Sequence, residues 1–536
     1  MSANVATHQA KTGPSSPFTG LGTLLRLAIR RDRVRLSVWI AALTLMMVYA
    51  PNAIKLAYPE EAQRLARVNL LKTPAGMMFG GPFFGGHETA LGAMVANELT
   101  MSVIIALSIL SVLTVIRHTR TEEESGAAEL VMSSVVGRYA RTTSALVLVG
   151  AVNAILAATM TLALKVSGFD IVDGAGMCLG ITGAAMVFGA VAAVTAQLWR
   201  QARPATGAAL GVFAAAALIR GIGDVINHSG SAVSWISPIA WAQQMRAFVD
   251  LRWWPLALLV ALTVILIGAS MMLESRREYD DAILRSRGDR PDAAPISGVF
   301  GLNLVLQRGQ VIGWGVGLFL AGLAFGSMTK SLQDAAKGNE LLARVLETQG
   351  YNGIYATLTQ FLSAATTGFV IATIMRLKHD EDSGIAETVL AGSVSRWRWL
   401  LSAVGATFAG SAVLMFLAGL GNGLGAAATM ADAELVPRLT LAGLAHLPAM
   451  AVMAGVGALC VAVRQPLLGW LAVTYVVLAL YLGALLRLPR WLIDASPVGR
   501  TTAPAHTSAT ALAVMVAVAI ALTATAGFVY RRRDAI

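Results

Sequence analysis

The chain has 536 residues, 56% of them hydrophobic and only 13% charged, with mean hydropathy +0.66 and a formal net charge of +11. Soluble domains carry about 25% charged residues, so the composition excludes a soluble enzyme or binding module and specifies an integral membrane protein. The basic residues cluster between apolar runs, where they report orientation in the membrane and give no reason to expect a nucleic-acid partner.

In chain order, residues 1–17 are polar with Pro and Ser and read as a disordered N-terminus, without the pattern of a cleavable signal peptide. Residues 18–34 (FTGLGTLLRLAIRRDRV) read as an amphipathic helix lying in the interface. A span needs about 20 mostly apolar residues. Twelve runs qualify: 35–55, 93–116, 142–165, 175–199, 205–223, 254–273, 311–332, 354–375, 399–421, 440–463, 468–487 and 509–530. None is short and alternating, as a barrel strand would be. Arg26, Arg30, Arg31, Arg33 and Arg35 precede the first run, and Arg117, Arg120, Arg138 and Arg141 lie between the second and third. Arg276, Arg277, Arg285, Arg287 and Arg290 follow the sixth, and Arg531, Arg532 and Arg533 follow the last. All four clusters share one face if both termini are cytoplasmic, which predicts a multi-pass protein of the inner (plasma) membrane. Cys178 and Cys460 fall inside predicted spans and read as small packing residues.

Two segments stand out between the apolar runs. TEEESGAAELVMSSVVGR (121–138) and HDEDSGIAETVLAGSVSR (379–396) are identical at 8 of 18 positions, 258 residues apart. Further echoes run in the same order. LARV at 65–68 recurs at 342–345, Arg31 and Val34 match Arg308 and Val311, and Ser237-Pro238 matches Ser496-Pro497. The expectation is an internal duplication. It gives a six-helix half over 18–292 and a second over 293–536, joined by the charged linker 274–300. An even number of spans per half makes the repeats parallel. The offset shortens after LARV, which places an insertion in the first copy, in the loop GMMFGGPFFGG (76–86). That loop reads equally as an outer lid or a packed surface loop.

Each acidic segment has acids at its start and a base at its end, as a helix dipole favours. Glu122, Ser125, Glu129 and Ser133 share one face, and Ala128, Val131, Met132 and Val135 another; Asp380, Ser383 and Glu387 oppose Ala386, Val389 and Leu390 in the second copy. The pattern predicts a short helix with its apolar face on the membrane domain and its acidic face offered outward. The bland alternative, a solvated loop helix, explains one copy better than two on the same side.

E-E-x-G-x-x-E, then an apolar stretch and (S/G)-R between spans 2 and 3, resembles the coupling helix of type-2 ABC exporter permeases. Two six-helix halves with Ser-Pro before the last span of each are similar to the polyketide-antibiotic (tetronasin-type) exporter permeases of actinobacteria. The resemblance covers nearly the whole chain, although Thr388 stands where the first copy has Leu130. It implies an all-α permease with twelve transmembrane helices and cytoplasmic coupling helices. Two copies of a separate ATPase would dock below it, ATP and Mg would sit on those subunits, and no cofactor would sit on this chain. The ATPases would drive efflux of a hydrophobic or amphipathic compound, as in antibiotic resistance. On the matched positions it implies coupling roles for Glu122, Glu123, Glu124, Gly126, Glu129, Arg138, Asp380, Glu381, Asp382, Gly384, Glu387 and Arg396. The acids would meet basic residues on the ATPase, and the glycines would allow close backbone approach. Spans 2, 5, 8 and 11 would line the path, with Asn97, Glu98, Tyr355 and Gln360 as candidates; each reads equally as an interhelical hydrogen-bonding or interfacial residue.

The chain carries no Gly-Lys dipeptide and hence no P-loop, and GSMTKS (326–331) is no match; any ATP hydrolysis is expected in trans. His446, alone in a predicted span, reads as a packed histidine rather than a metal ligand. The main rival reading is a proton-coupled secondary transporter of the major facilitator type. It would need a short, basic loop between spans 2 and 3 and carboxylates at mid-membrane. Here that loop is long and acidic, Glu98 and Asp224 lie near span ends, and Arg220 is spaced to pair with Asp224. A third reading, a membrane transferase, rests only on His87-Glu88.

Overall fold

The computed structural model describes residues 16–85, 91–126, 136–227, 229–277, 283, 298–330, 351–382, 384–481, 491, 495–499 and 509–532. Every regular element among them is helical. Among the described residues, eleven helices are long and apolar enough to cross a membrane. Contacts divide the chain into two units, 1–290 and 291–536.

The N-terminal unit begins with α1 (Leu21–Ala57), a continuous helix of 37 residues. A separate interfacial helix before the first span was expected. The structure corrects this, because nothing between Gly22 and Pro51 breaks the helical pattern and Asp32 is fastened to neighbouring elements at its side chain. At 1.5 Å per residue α1 is about 55 Å long, against roughly 30 Å of hydrocarbon, so its arginine-rich first turns project beyond the membrane. Two short helices follow, α2 (Glu61–Leu71) and α3 (Pro74–Gly80), and then α4 (Leu91–Ile116). Next come α5 (Ala140–Val166), α6 (Ile171–Leu198), α7 (Ala202–Ile226), the short α8 (Pro238–Gln243) and α9 (Trp254–Arg276). Asp170 starts α6 by accepting the amides of Val172 (2.8 Å) and Asp173 (3.0 Å). Ser237 caps α8 ahead of Pro238, so the Ser-Pro pair marks a helix start. α4 and α6 form the buried centre through Leu107, Val112, Val115, Val187 and Phe188, with α1, α5, α7 and α9 around them. The apolar side chains left exposed on α1 and α9, such as Leu45, Val260 and Ile265, suit a lipid solvent.

The C-terminal unit comprises α10 (Gly298–Ser327), α11 (Tyr351–Asp382), α12 (Ile385–Leu390), α13 (Arg396–Met430), α14 (Leu435–Leu444), α15 (Leu447–Ala462), α16 (Pro466–Tyr481) and α17 (Ala509–Arg532). The run expected at 440–463 is interrupted at Ala445-His446, where α15 restarts on Pro448. The run expected at 468–487 appears as α16, with 16 helical residues, and residues 482–490 lie outside the described set. α10 and α13 approach along glycines spaced by four. A Cβ at Gly322 or Gly326 would strike the backbone of Ala418 or Asn422, and one at Gly421 or Gly425 that of Phe319 or Leu323. Small residues are what let membrane helices pack this closely.

Candidate functional site

In the N-terminal unit the first acidic segment continues directly from α4. The helix widens through a π-helical turn at Arg117–Thr121 and then resumes over Glu122–Glu124. Successive helical residues point about 100° apart, so three consecutive glutamates reach three different neighbours. Glu122 accepts from Arg31 of α1 (3.0 Å) and faces His118 Nδ1 (3.1 Å). The other ring nitrogen of His118 lies 2.9 Å from Asp32, a fully buried carboxylate that also meets Arg117 at 3.2 Å and Arg35 at 3.6 Å. Glu123 is buried among Arg120 (2.6 Å), Arg277 at the end of α9 (2.8 Å) and Arg141 of α5. Glu124 accepts the amide of Ala202, the first residue of α7, at 2.7 Å. Arg120 also donates to the Ala196 carbonyl of α6. One short stretch thus fastens α1, α5, α6, α7 and α9.

Arg138 closes the first segment by donating to the carbonyls of Glu274 (3.1 Å), Ser275 (2.6 Å) and Arg277 (3.2 Å), the unsatisfied C-terminal acceptors of α9. The residues between, 127–135, with Glu129, lie outside the described set. The second segment is described further. Asp380 lies 3.7 Å from Arg376, and Glu381 accepts from the Tyr530 hydroxyl of α17. The side chain of Asp382 lies outside the described set. α12 then buries Ala386 and packs Val389 and Leu390 on the core, while Glu387 and Thr388 are exposed. Ala386, Val389 and Leu390 thus oppose Glu387 as expected from the sequence, whereas Asp380, expected on the outward face, is buried near the end of α11, and Ser383 lies outside the described set. Arg396 is the first residue of α13 and lines a cleft against α17.

Two expectations about these segments change. The acids were expected to face a partner; Glu123 and Glu124 instead bind within the chain, because the turn of the helix aims them at Arg277 and at the Ala202 amide. Gly126 and Gly384 were expected to permit close approach. Nothing lies within 4 Å of a Cβ built on either, and both adopt positive φ (70° and 76°). Glycine is there for the left-handed turn.

The path candidates have structural partners. Asn97 donates to the carbonyls of Gly81 (3.0 Å) and Pro82 (3.2 Å), and Gln243 donates to Gly80 (2.8 Å). Arg220, paired with Asp224 at 3.2 Å as its spacing predicted, donates to the carbonyls of Met77 and Met78. The 76–85 stretch is therefore a packed strap on the N-terminal unit, with Met77 and Phe83 buried. Glu98 pairs with Arg67 of the LARV motif at 2.8 Å. Burial draws the Arg67 pKa down, but the hydrogen bond and charge of Glu98 outweigh it and leave it raised. Tyr355 packs with Ala426, Leu435 and Leu439, and Gln360 is buried. His446 is buried and hydrogen-bonded to the Ala442 carbonyl at 2.9 Å, and both cysteines are buried and free. His87 and Glu88 lie outside the described set. Arg277, Arg141 and Asp32 could not be recognised from the sequence as partners in these networks; their shared signal was charge next to predicted spans.

These features define a multi-pass, all-helical membrane protein with charged networks at the ends of its spans. The family model described as "Multidrug efflux system permease Rv1217c, C-terminal domain" matches residues 21–273 and 296–531, and the chain belongs to that family. It is 35% identical over 520 residues to the multidrug efflux system permease protein Rv1217c of Mycobacterium tuberculosis (strain ATCC 25618 / H37Rv), covering 93% of this chain and 92% of the relative.

Proposed function

We propose that the chain is the membrane-spanning permease of an ATP-driven exporter of hydrophobic or amphipathic compounds, working in multidrug or antibiotic efflux. In this reading it is a type-2 ABC permease of the tetronasin-type class with twelve spans in two parallel six-helix repeats. Both termini face the cytoplasm from the inner membrane. The chain has no catalytic role of its own. ATP and Mg are handled by two copies of a cytoplasmic ATPase, one beneath each acidic segment.

The observation that carries the reading is α12. Its apolar face, through Ala386, Val389 and Leu390, rests on the core, and Glu387 is left outward for a basic partner. The relative's printed role in multidrug efflux supports the same direction. The glutamate triplet supplies the mechanics. A push on the segment after Glu124 is passed at once to five spans, because each link is a charged or charge-assisted hydrogen bond. The N-terminal unit then moves as a body, and a cavity along the path changes its access from inside to outside.

The test is Glu129→Arg combined with Glu387→Arg. Membranes holding the double variant at normal abundance should no longer co-purify the ATPase, whereas the native mass of the unaltered assembly should equal one permease plus two ATPase subunits. Retention of the ATPase by the double variant would sink the docking assignment.

A further inference from the structure

Beyond the acidic segments, the C-terminal unit holds a cleft of about 620 Å³ between the start of α13 and the end of α17. Ser395, Arg396, Trp397, Ala524, Gly527, Phe528 and Arg531 line it. Among the described residues the lining contains two guanidinium groups and no carboxylate. It is also graded. Ala524, Gly527, Phe528 and Arg531 are spaced by three and four, so they form one stripe along α17 that runs from apolar to cationic at the helix end. The Trp397 ring lies directly on Gly527, where any Cβ would fall inside it. Phe528 is more than half exposed, and Arg532 stacks over its ring at 4.0 Å. Exposed Trp and Phe beside arginines at the ends of membrane helices is the composition of an interfacial site, apolar below and charged above.

We propose that this cleft binds one anionic phospholipid. Its phosphate lies between Arg396 and Arg531, and an acyl chain runs down the Ala524–Phe528 stripe against Trp397. Two features select the lipid over a free anion. The lower wall offers a phosphate nothing but hydrocarbon and aromatic surface, and the cleft opens where two spans end, so an acyl chain enters without leaving the bilayer. A zwitterionic lipid is disfavoured because, among the described lining residues, its ammonium would meet two guanidinium groups and no carboxylate. Basic pockets between spans at the cytoplasmic end are known to suit anionic headgroups. The site is independent of what the protein exports.

The experiment is native mass spectrometry of the full chain, delipidated in detergent and offered equal amounts of phosphatidylglycerol and phosphatidylcholine. The unaltered protein should bind one phosphatidylglycerol in roughly tenfold preference over phosphatidylcholine. Arg531→Gln, at an exposed helix end where folding is not at stake, should reduce that preference at least fivefold, and Trp397→Leu should lower the occupancy of both lipids. Millimolar inorganic phosphate should not displace the bound lipid. Undiminished preference in Arg531→Gln would overturn the site, and full displacement by inorganic phosphate would show a plain anion site with no lipid in it.

Discussion

Neutralising Glu123 tests whether the cluster beneath α4 holds the N-terminal unit together. The side chain is 2% exposed, and its partners Arg120, Arg277 and Arg141 are 1%, 6% and 10% exposed, so solvent screens none of the pairs well. Glu123→Gln preserves the volume and one acceptor but leaves three guanidinium groups without their common counter-charge. Breaking a buried ion pair by removing one partner costs about 3–5 kcal/mol. Glu381→Gln is the internal control. The position is the counterpart 258 residues on, but its link to α17 is the Tyr530 hydroxyl, for which a glutamine oxygen still serves. The expected cost there is about 1 kcal/mol. Thermal unfolding of the detergent-purified chain, followed by loss of the monodisperse peak, should place Glu123→Gln about 6–20 °C below the unaltered protein at roughly 2–4 °C per kcal/mol. The Glu381→Gln midpoint should fall by no more than about 4 °C on the same scale. Adding Arg141→Gln to Glu123→Gln should recover part of the loss, since it removes one of the three cations that shared Glu123. If Glu123→Gln melts with the unaltered protein, or no lower than Glu381→Gln, the cluster is not the anchor.

The close packing of α10 on α13 predicts that Gly326→Val lowers the yield of folded protein and its melting midpoint, because its Cβ meets the Asn422 backbone, which cannot give way as a flexible side chain could. Gly313→Ala, on the same helix with nothing within 4 Å, should be neutral or slightly stabilising; equal damage from both would refute the packing argument. The helix start at Asp170 predicts a dependence on acid. The amides of Asp173 and Val172 hold its carboxyl below the usual carboxylate range, so its contribution is complete above about pH 4 and is lost as pH falls through the lower folded value. Hydrogen exchange at the first turn of α6, corrected for intrinsic rate, should accelerate in that acid window. Asp170→Asn caps at any pH and should abolish the acceleration; its persistence would place the acid sensitivity elsewhere.

Eleven of the twelve expected spans were legible because hydropathy over some 20 residues needs no knowledge of neighbours. The face division of α12 was legible for a similar reason, since Ala386, Val389 and Leu390 against Glu387 is a local periodicity. The roles of the glutamates were not. A run of three acids announces charge, but Glu122, Glu123 and Glu124 find partners 91, 154 and 78 residues away, and no local pattern carries that information. The same limit explains Arg138. A base at the end of an acidic segment suggests its own helix dipole, whereas the guanidinium serves the last carbonyls of α9, a helix 116 residues further on at its start. Glycine was flagged at 126 and 384 for the wrong physical reason, because sequence shows that a residue lacks a Cβ but not whether space or backbone angle required it. These misses share a direction. Residues that a sequence presents as outward-facing surface charge become, once helices are packed side by side, the internal fastenings of the unit, and what is left outward is smaller: in the second segment, Glu387 and Thr388 on one short helix. On the proposal that an ATPase docks on α12, Glu387→Arg alone should weaken its association, whereas Glu123→Gln, whose side chain is buried, should leave association intact; equal loss in both would refute the division.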